Sequence, residues 1–420
     1  MDAGQLAAAL RGILGPVTVE GVTRMTGGAS RETWAFDAVG ADGSRTALVL
    51  RRDPPGRPGE PGSMSREAGA ISAARAAGLA VPEVLLCTDG PDLWGSAGLV
   101  MRRVAGETIA RRILRDDAYR RAREVLARQL GTFAAGLHAL RPPAGLPVTD
   151  PVQDLRATYA SFGQPSQVFE LAFAALEASP PPARGPVIVH GDLRLGNLIV
   201  GPESLRAVLD WELVHAGNPA EDLGWLCVRA WRFGAGPPVA GTGTREELLA
   251  AYRAAGGADI SLHELRWWEI LGTLRWGVIC MTQAWAHLSG AHRSVELAAI
   301  GRRVCEQEWD LLLLLEPEAA AQAAARRPQP TGGPVPAPAP HGRPTASELL
   351  DAVRGFLTSE VMPATGGQLS FHARVAANAL AIVARELELG RIAPEAELAD
   401  VVAARLAVAN PRYFGTAPGR

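Results

Sequence analysis

The sequence predicts an α+β protein with a small antiparallel sheet, a mainly helical region and a small C-terminal helical bundle. Short β-like segments fill about the first hundred residues, whereas apolar residues recur at helical spacing after about Gly106. The segment 328–344, PQPTGGPVPAPAPHGRP, holds seven prolines and three glycines in 17 positions. Because proline fixes φ and removes an amide donor, this segment is expected to be an extended linker.

These observations divide the chain into four regions. The first should be a sheet-containing lobe, the second a helical lobe, the third a linker and the fourth a separate helical domain. Their expected bounds are 1–103, 104–320, 321–344 and 345–420.

Alternation of apolar and polar residues justifies the strands of the first lobe. Asp42 and Gly43 supply turn chemistry between two of these strands and predict a hairpin. Glu67 falls in the first turn of a helix expected over Ser65–Ala77. The strands are expected at Val17–Met25, Glu32–Val39, Thr46–Arg51 and Gly98–Arg102.

Helical spacing of apolar residues dominates the rest of the chain. The second lobe should also contain three short β-segments, Val187–Val189, Leu198–Val200 and Ala207–Leu209. Its helices are expected at Asp117–Leu140, Pro219–Trp231, Arg245–Ala255, Leu262–Leu288 and Val295–Leu315. The tail should hold three more, over Ala346–Glu360, Ser370–Leu389 and Pro394–Ala409.

Composition excludes several classes of function. All 42 basic residues are arginine, so a Schiff-base lysine and a P-loop lysine are both ruled out. The 44 acidic residues leave a net charge of -2, which argues against nucleic acid as a partner. Four scattered cysteines without a C-x-x-C pair, and no long apolar run, favour a cytoplasmic protein without membrane insertion.

The most informative stretch runs from Val187 to Glu212 and contains His190, Asp192, Asn197 and Asp210. Apolar β-segments flank these side chains, so they should converge on one cleft. Their spacing, H-x-D-x-x-x-x-N and then thirteen residues to an aspartate, matches the kinase template of a catalytic loop and a metal-binding aspartate. The alternative is a set of ordinary turn residues between strands.

Phosphoryl transfer needs a base near the acceptor hydroxyl and hard oxygen ligands for Mg²⁺. Asp192 suits the base. Asn197 and Asp210 suit the metal. The sequence therefore predicts an enzyme that uses ATP and Mg²⁺ to phosphorylate a hydroxyl group.

Four segments, GGASRETW, LVLRRDPP, HGDLRLGN and LDWE, carry a more specific resemblance. Over residues 20 to about 315 the chain resembles the aminoglycoside phosphotransferase and choline kinase-like superfamily, and most closely its branch associated with acyl-CoA dehydrogenases. The resemblance implies a two-lobed protein-kinase-like fold and a small-molecule hydroxyl acceptor. The tail resembles a small bacterial domain of unknown function.

The resemblance also places the nucleotide-binding parts. Gly27, Gly28 and Ser30 would form a turn whose backbone amides cover the phosphates, although such a composition alone is more often a plain turn. Arg51 would replace the phosphate-pairing lysine, with Arg52 as the other option, and Glu67 would be its ion-pair partner.

Further roles rest on position within the resemblance. Arg102 and Val104 would recognise adenine through backbone groups of a hinge. Arg194 would neutralise charge on the transferring phosphoryl group, or would simply be solvent-exposed. His190 should orient the catalytic loop, and Asp222 should brace it through backbone amides.

The second lobe gives less information about the substrate. Arg275 lies in an apolar run and needs either an internal carboxylate or a substrate anion. From Trp225 to Glu318 there are eleven acids against nine arginines, which disfavours a polycationic antibiotic. The resemblance implies a hydroxyacyl-CoA or related metabolite; an aminoglycoside-type kinase and a non-catalytic nucleotide-binding regulator are the alternatives. The C-terminal bundle is the expected surface for a homodimer or for a partner from acyl-CoA metabolism.

Overall fold

The computed structural model describes residues 1–25, 31–54, 60–143, 145–148, 150–292, 294–326, 346–390, 392 and 396–415. The chain divides into two compact units. The first contains Met1–Thr149 and Pro182–Trp268, and the second contains Asp150–Pro181 and Glu269–Arg420. The predicted four-region division is a different partition of the chain and remains a prediction.

The first unit opens with the β-rich region. Its elements are α1 (Ala3–Leu14), β1 (Val17–Arg24), β2 (Glu32–Gly40), β3 (Arg45–Arg52), α2 (Ser63–Ala76), β4 (Val84–Thr88) and β5 (Gly98–Arg102). The five strands form one antiparallel sheet in the order β1-β2-β3-β5-β4. All four predicted strands are present, and β4 is an edge strand whose continuous apolar run hid it from a search for alternation.

A hydrophobic core fixes this sheet. Leu6 and Leu10 on one face of α1 are fully buried and belong to the same cluster as Phe36, Leu48 and Leu50 of the central strands. β3 is the middle strand of the sheet. Its two C-terminal residues, Arg51 and Arg52, therefore lie in a defined register opposite β5.

The middle of the chain is mainly helical. Its elements are α3 (Ala110–Arg115), α4 (Arg120–His138), α5 (Pro151–Ser161), α6 (Gln167–Ala178), β6 (Val187–Val189), β7 (Leu198–Val200), β8 (Leu205–Val208), β9 (His215–Gly217), α7 (Ala220–Cys227), α8 (Arg245–Ala254) and α9 (Leu262–Leu288). Two small antiparallel pairs, β6 with β9 and β7 with β8, flank the polar loop. Gly131 lets α4 approach α8 closely, because a Cβ atom there would overlap the Leu248 carbonyl.

The remaining helices belong to the second unit. They are α10 (Val295–Gly301), α11 (Val304–Leu315), α12 (Pro317–Arg326), α13 (Ala346–Phe356), α14 (Met362–Ala364), α15 (Gly367–Leu389) and α16 (Leu398–Ala409), with a π-helical turn at Leu357–Val361. The helix expected over Val295–Leu315 is interrupted at Arg302 and Arg303, so it forms two helices. α12 also covers the first six residues of the expected linker 321–344, and the rest of that segment lies outside the described residues.

The C-terminal helices pack within the second unit against α11. This helix carries three buried carboxylates. Each accepts a hydrogen bond from a C-terminal residue: Glu306 from Asn410 at 3.1 Å, Glu308 from Arg405 at 2.9 Å and Asp310 from Tyr413 at 2.8 Å. The tail is thus joined to α11 by polar contacts that satisfy buried acids. Among the helices of the described ranges, none combines the length and apolarity that crossing a membrane requires.

Candidate active site

The polar loop between β6 and β7 lies against the segment that follows β8. Pairing of Leu198 with Val208 places Asn197 beside Leu209, and the Leu209 amide donates to the Asn197 carbonyl at 2.8 Å. Asp210 is the next residue along the chain. The register of two short strands therefore brings the predicted catalytic loop next to the predicted metal-binding aspartate.

His190 reinforces this junction from a fully buried position. The Asp192 amide donates to its Nδ1 at 3.1 Å, so Nδ1 must be the unprotonated nitrogen. Its Nε2 then carries the proton and donates to the Leu209 carbonyl at 3.0 Å. His190 thus ties the backbone of Asp192 to the residue before Asp210, as expected for an orienting residue.

The carboxylate of Asp192 accepts from three neighbouring side chains. Oδ1 accepts from Nε1 of Trp225 at 2.8 Å and from Nε of Arg194 at 2.9 Å. Oδ2 accepts from Nδ2 of Asn197 at 2.6 Å and from the same Arg194 Nε at 3.1 Å. These bonds hold a charged carboxylate in one orientation.

Asn197 uses its amide nitrogen for structure. Nδ2 donates both to the Asp192 carbonyl and to the Asp192 carboxylate, at 2.9 and 2.6 Å. Anchoring the nitrogen in this way fixes the orientation of the side-chain carbonyl oxygen, the atom of an amide that can ligate a hard cation.

Asp210 adopts a left-handed backbone conformation, with φ of 66°. Aspartate tolerates this region better than most residues. Its Oδ1 accepts from Nη2 of Arg51, and the same nitrogen lies 3.0 Å from Oε2 of Glu212. The predicted metal-binding aspartate and the predicted phosphate-binding arginine are therefore direct neighbours.

Arg51 also forms the ion pair expected from the sequence. Its Nη1 lies 2.6 Å from Oε1 of Glu67, which is buried on α2. Burial alone would lower the pKa of Arg51, but Glu67, Asp210 and Glu212 together raise it, so the guanidinium stays charged. Arg52 instead bonds to Glu32, 2.8 Å away.

Three residues of this charge cluster, Arg31, Asp53 and Glu212, were not predicted. Arg31 pairs with Glu67 and with Asp53, the latter at 3.0 Å. Glu212 was quoted only as part of the LDWE motif, although it contacts Arg51. The spacing of Glu212 two residues after Asp210 could have indicated it, whereas Arg31 carried no signal apart from its place after the glycine-rich turn.

The side chain of Arg194 lies against the carboxylate of Asp192. Besides its bonds to Asp192, its Cζ lies 4.6 Å from the ring centroid of Trp231. A Cβ atom at Gly196 would overlap Nη1 of Arg194, so a larger residue there would displace the end of the arginine side chain. Its side chain is 24% exposed, which the solvent-exposed alternative would not lead us to expect.

Asp222 makes the backbone contacts expected of it. The amides of His190 and Gly191 donate to its two carboxylate oxygens at 2.8 and 3.0 Å. Burial would raise the pKa of Asp222, but hydrogen bonding from His138 and the neighbouring His190 outweigh burial and lower that pKa. His138 was not predicted, and Tyr252 contacts its other ring nitrogen at 2.9 Å.

A model of one protein family covers most of this region: residues 21–268 match the family described as phosphotransferase enzymes. The chain belongs to the phosphotransferase enzyme family. This membership confirms the expectation of a phosphotransferase that acts as a small-molecule kinase. Residues 363–402 match a domain of unknown function, DUF6285, in agreement with the resemblance of the tail.

Two relatives confirm the expected link to acyl-CoA dehydrogenases. Chicken acyl-CoA dehydrogenase family member 11 is 33% identical over 199 residues, covering 43% of this chain and 25% of the chicken protein. Mouse acyl-CoA dehydrogenase family member 10 is 51% identical over 43 residues, covering 10% of this chain and 4% of the mouse protein. The chain therefore spans a quarter or less of the length of these two relatives.

A solved structure confirms the fold. A candidate aminoglycoside phosphotransferase from Ralstonia eutropha matches with a TM-score of 0.56 and 20% identity, covering 74% of this chain and 98% of that protein. The α+β, kinase-like fold class expected from the sequence is thus confirmed.

The adenine-binding hinge at Arg102 and Val104 remains a prediction. The structure shows where the backbone amides of this segment donate. The Arg102 amide donates to the Glu83 carbonyl and the Arg103 amide to the Ala47 carbonyl, both at 2.9 Å. Among the described residues, none accepts from the Val104 amide. The Val104 amide is therefore an available donor at the position expected for the hinge.

Two sets of predicted residues are not covered by the geometry above. Gly27, Gly28 and Ser30 lie outside the described residues. Arg275 is partly buried in the half of α9 that belongs to the second unit, whereas the residues above belong to the first. Both assignments stay predictions.

Proposed function

We propose that this phosphotransferase transfers the γ-phosphoryl group of ATP to a hydroxyl group of a small molecule. The proposal rests on the two hydrogen bonds made by the backbone of Leu209. These bonds join the loop of Asp192 and Asn197 to the segment that carries Asp210. Three side chains with the chemistry of a kinase site are thereby held in one place.

Asp192 would be the base. In the transfer, a bond forms between the acceptor oxygen and the γ-phosphorus while the bond from that phosphorus to the β,γ-bridging oxygen breaks. The acceptor proton passes to Asp192, and ADP is the leaving group. The fixed orientation of the carboxylate supports this role, because positioning supplies most of the catalysis in phosphoryl transfer.

Arg51 would bind the α- and β-phosphates. Glu67 holds its Nη1, and Asp210 together with Glu212 holds its Nη2, so the guanidinium is already at the site when nucleotide arrives. A guanidinium in this position can serve phosphate oxygens bidentately.

Asn197 and Asp210 fit the requirements of Mg²⁺. They supply one amide oxygen and one carboxylate, which suits an ion that takes few protein ligands and completes its shell with phosphates and water. Such an ion would neutralise charge on the phosphate oxygens. Across the described ranges, no group of three or more His, Cys, Asp or Glu residues could hold a metal, so a dedicated protein cage is not the expected type of site.

Arg194 would neutralise charge on the transferring phosphoryl group. Its single Nε–H group is shared between both oxygens of Asp192, and the rest of its guanidinium remains for a second anion. The proposed acceptor is a hydroxyacyl-CoA or related hydroxylated metabolite. The two acyl-CoA dehydrogenase relatives support this class, and Arg275 is proposed to contact an anionic part of it.

We propose a cytoplasmic location because all four cysteines are free thiols. The bundle at 345–420 is proposed as a contact for a second copy or for a partner from acyl-CoA metabolism. Its exposed apolar side chains, including Leu349, Val353 and Phe356 at helical spacing on α13, support a contact surface.

The test is ATP turnover with Mg²⁺ across hydroxyacyl-CoAs, free hydroxy acids, amino alcohols and aminoglycosides. Asp192→Asn is the control. ADP formation stimulated by hydroxyacyl-CoAs and lost in the variant would support the proposal. Stimulation only by aminoglycosides would reject the acceptor class, and nucleotide binding without turnover would favour a regulator.

A further inference from the structure

Helix α7 contacts the catalytic loop through two residues one turn apart. Asp222 accepts from backbone amides of the loop, and Trp225 donates its indole Nε1–H to Oδ1 of Asp192 at 2.8 Å. Residues three positions apart lie on the same face of a helix. One helix face therefore fixes both the backbone of the loop and the carboxylate that it presents.

Asp192 accepts three N–H groups on its two carboxylate oxygens. A carboxylate has about four lone-pair sites. Oδ1 accepts from Trp225 and Arg194, and Oδ2 accepts from Asn197 and Arg194. Each oxygen therefore already has two contacts, and an acceptor hydroxyl that approaches this carboxylate competes with one of the three donors.

Two of these donors are held firmly. Trp225 is 3% exposed, and its ring lies 5.2 Å from that of Trp231. Asn197 is 6% exposed and donates to the Asp192 carbonyl as well as to the carboxylate. Moving either side chain would break further contacts in a packed interior.

Arg194 is the donor that can leave. Its side chain is more exposed than those of Asp192 and Trp225, and one N–H group divided between two oxygens gives weaker bonds than two separate donors. The Trp231 ring face, 4.6 Å from Cζ, supports the guanidinium without a directional bond that would fix it.

We infer that Trp225 is a positioning residue for the base, and that the acceptor hydroxyl replaces Arg194 on Asp192. The Trp225 indole fixes the rotation of the carboxylate after Arg194 has moved to the phosphoryl group. This inference rests on the proposed function in taking Asp192 as the base. It assigns to a tryptophan of a buried helix a direct part in the geometry of the reaction.

The first test requires no acceptor. In the full-length protein with ¹⁵N-labelled tryptophan, the indole N–H resonance of Trp225 is assigned by its loss in Trp225→Phe. Asp192→Asn should shift that resonance, because an amide side chain replaces a charged acceptor, and should leave the Trp268 resonance in place. An unmoved Trp225 resonance would overturn the inference whether or not the protein turns over ATP.

The second test is kinetic, with the acceptor that stimulates turnover in the panel above. Trp225→Phe should lower kcat about tenfold, since one hydrogen bond to a charged group is lost, and should change KM for ATP by less than about twofold.

Trp268→Phe is the matched control. Trp268 is also a buried indole of the first unit, at 4% exposure, and none of the described residues accepts from its Nε1. The kcat of Trp268→Phe should stay within about twofold of the wild-type value. Equal losses of kcat in both variants would reduce Trp225 to a packing residue and reject the inference. Absence of ATP turnover in the wild-type protein would instead reject the proposed function. The resonance test would then still decide whether Trp225 bonds to Asp192.

Discussion

Nη1 of Arg51 lies 2.6 Å from Oε1 of Glu67, joining the central strand β3 to helix α2. The side chain of Glu67 is 2% exposed, so this carboxylate depends on guanidinium partners in place of water. The pair decides which of two adjacent arginines faces the proposed phosphate site. The guanidinium of Arg52 instead contacts Glu32 and donates to the Trp94 carbonyl at 2.8 Å.

Substitution of Arg51 should therefore weaken nucleotide binding, and substitution of Arg52 should not. We expect Arg51→Ala to weaken ATP binding about 10- to 100-fold, the equivalent of one or two lost charge-assisted hydrogen bonds. Arg52→Ala should stay within about threefold of wild type. Titration calorimetry with ATP and Mg²⁺ measures both, and the reverse order of effects would assign phosphate binding to Arg52.

His215 predicts a pH dependence of stability. Its Nε2 lies 3.0 Å from Oε2 of Glu221, and its Nδ1 lies 2.9 Å from the Leu213 carbonyl, an arrangement that suits a doubly protonated ring. Burial lowers the pKa of His215, but Glu221 and the Leu213 carbonyl outweigh burial and raise that pKa above 6.5.

Because the folded-state pKa is raised, the charged pair stabilises the protein fully below about pH 6.5, the pKa of an unfolded histidine. This stabilisation is lost as pH rises through the higher pKa of the folded state. We expect Glu221→Gln to remove it, so that the difference in free energy of unfolding between wild type and variant shrinks with rising pH. Denaturant titrations at a series of pH values would show this, and a difference that grows with pH would contradict the assigned pKa direction.

Arg405 should be needed for the stability of the second unit. It lies 2.8 Å from Oε2 of Glu308, a side chain that is 2% exposed. Arg405→Ala would leave Glu308 with the Ser166 hydroxyl as a remaining donor, at 2.8 Å. We expect a loss of about 2 kcal/mol, below the ~3–5 kcal/mol of a fully buried pair because Arg405 is half exposed.

Arg326→Ala is the matched control. Arg326 pairs with Asp400 at 3.0 Å between α12 and α16, but its side chain is half exposed and solvent screens the pair. Thermal and denaturant unfolding should show a smaller change than for Arg405→Ala. Equal losses would mean that the buried acid of α11 does not depend on Arg405.

Local sequence patterns were sufficient for the parts of the site that lie close together in the chain. His190, Asp192 and Asn197 occupy one loop, and their spacing reflects its geometry. Strand alternation put Arg51 at the end of a strand and Glu67 on the following helix, whereas their pairing was implied by the family resemblance. Family resemblance supplied the roles that spacing alone does not encode.

Partners distant in sequence could not be predicted in this way. Arg51 and Asp210 are 159 positions apart, and their contact depends on the packing of separate elements. Trp225 reads as an ordinary packing residue of an apolar helix, because a hydrogen bond from its indole leaves no trace in the pattern. The acids of α11 likewise look like a solvated face until the C-terminal helices cover them.

The central claim is that Asp192 receives the proton of the acceptor hydroxyl, at a site where the backbone of Leu209 joins the loop of Asp192 to Asp210. The most direct measurement is γ-phosphoryl transfer from ATP in wild type and Asp192→Asn, together with the affinity of each for ATP and Mg²⁺. The account predicts that turnover falls at least about 100-fold while the nucleotide affinity stays within about threefold. Turnover by Asp192→Asn at the wild-type rate would remove Asp192 from the mechanism and contradict the account.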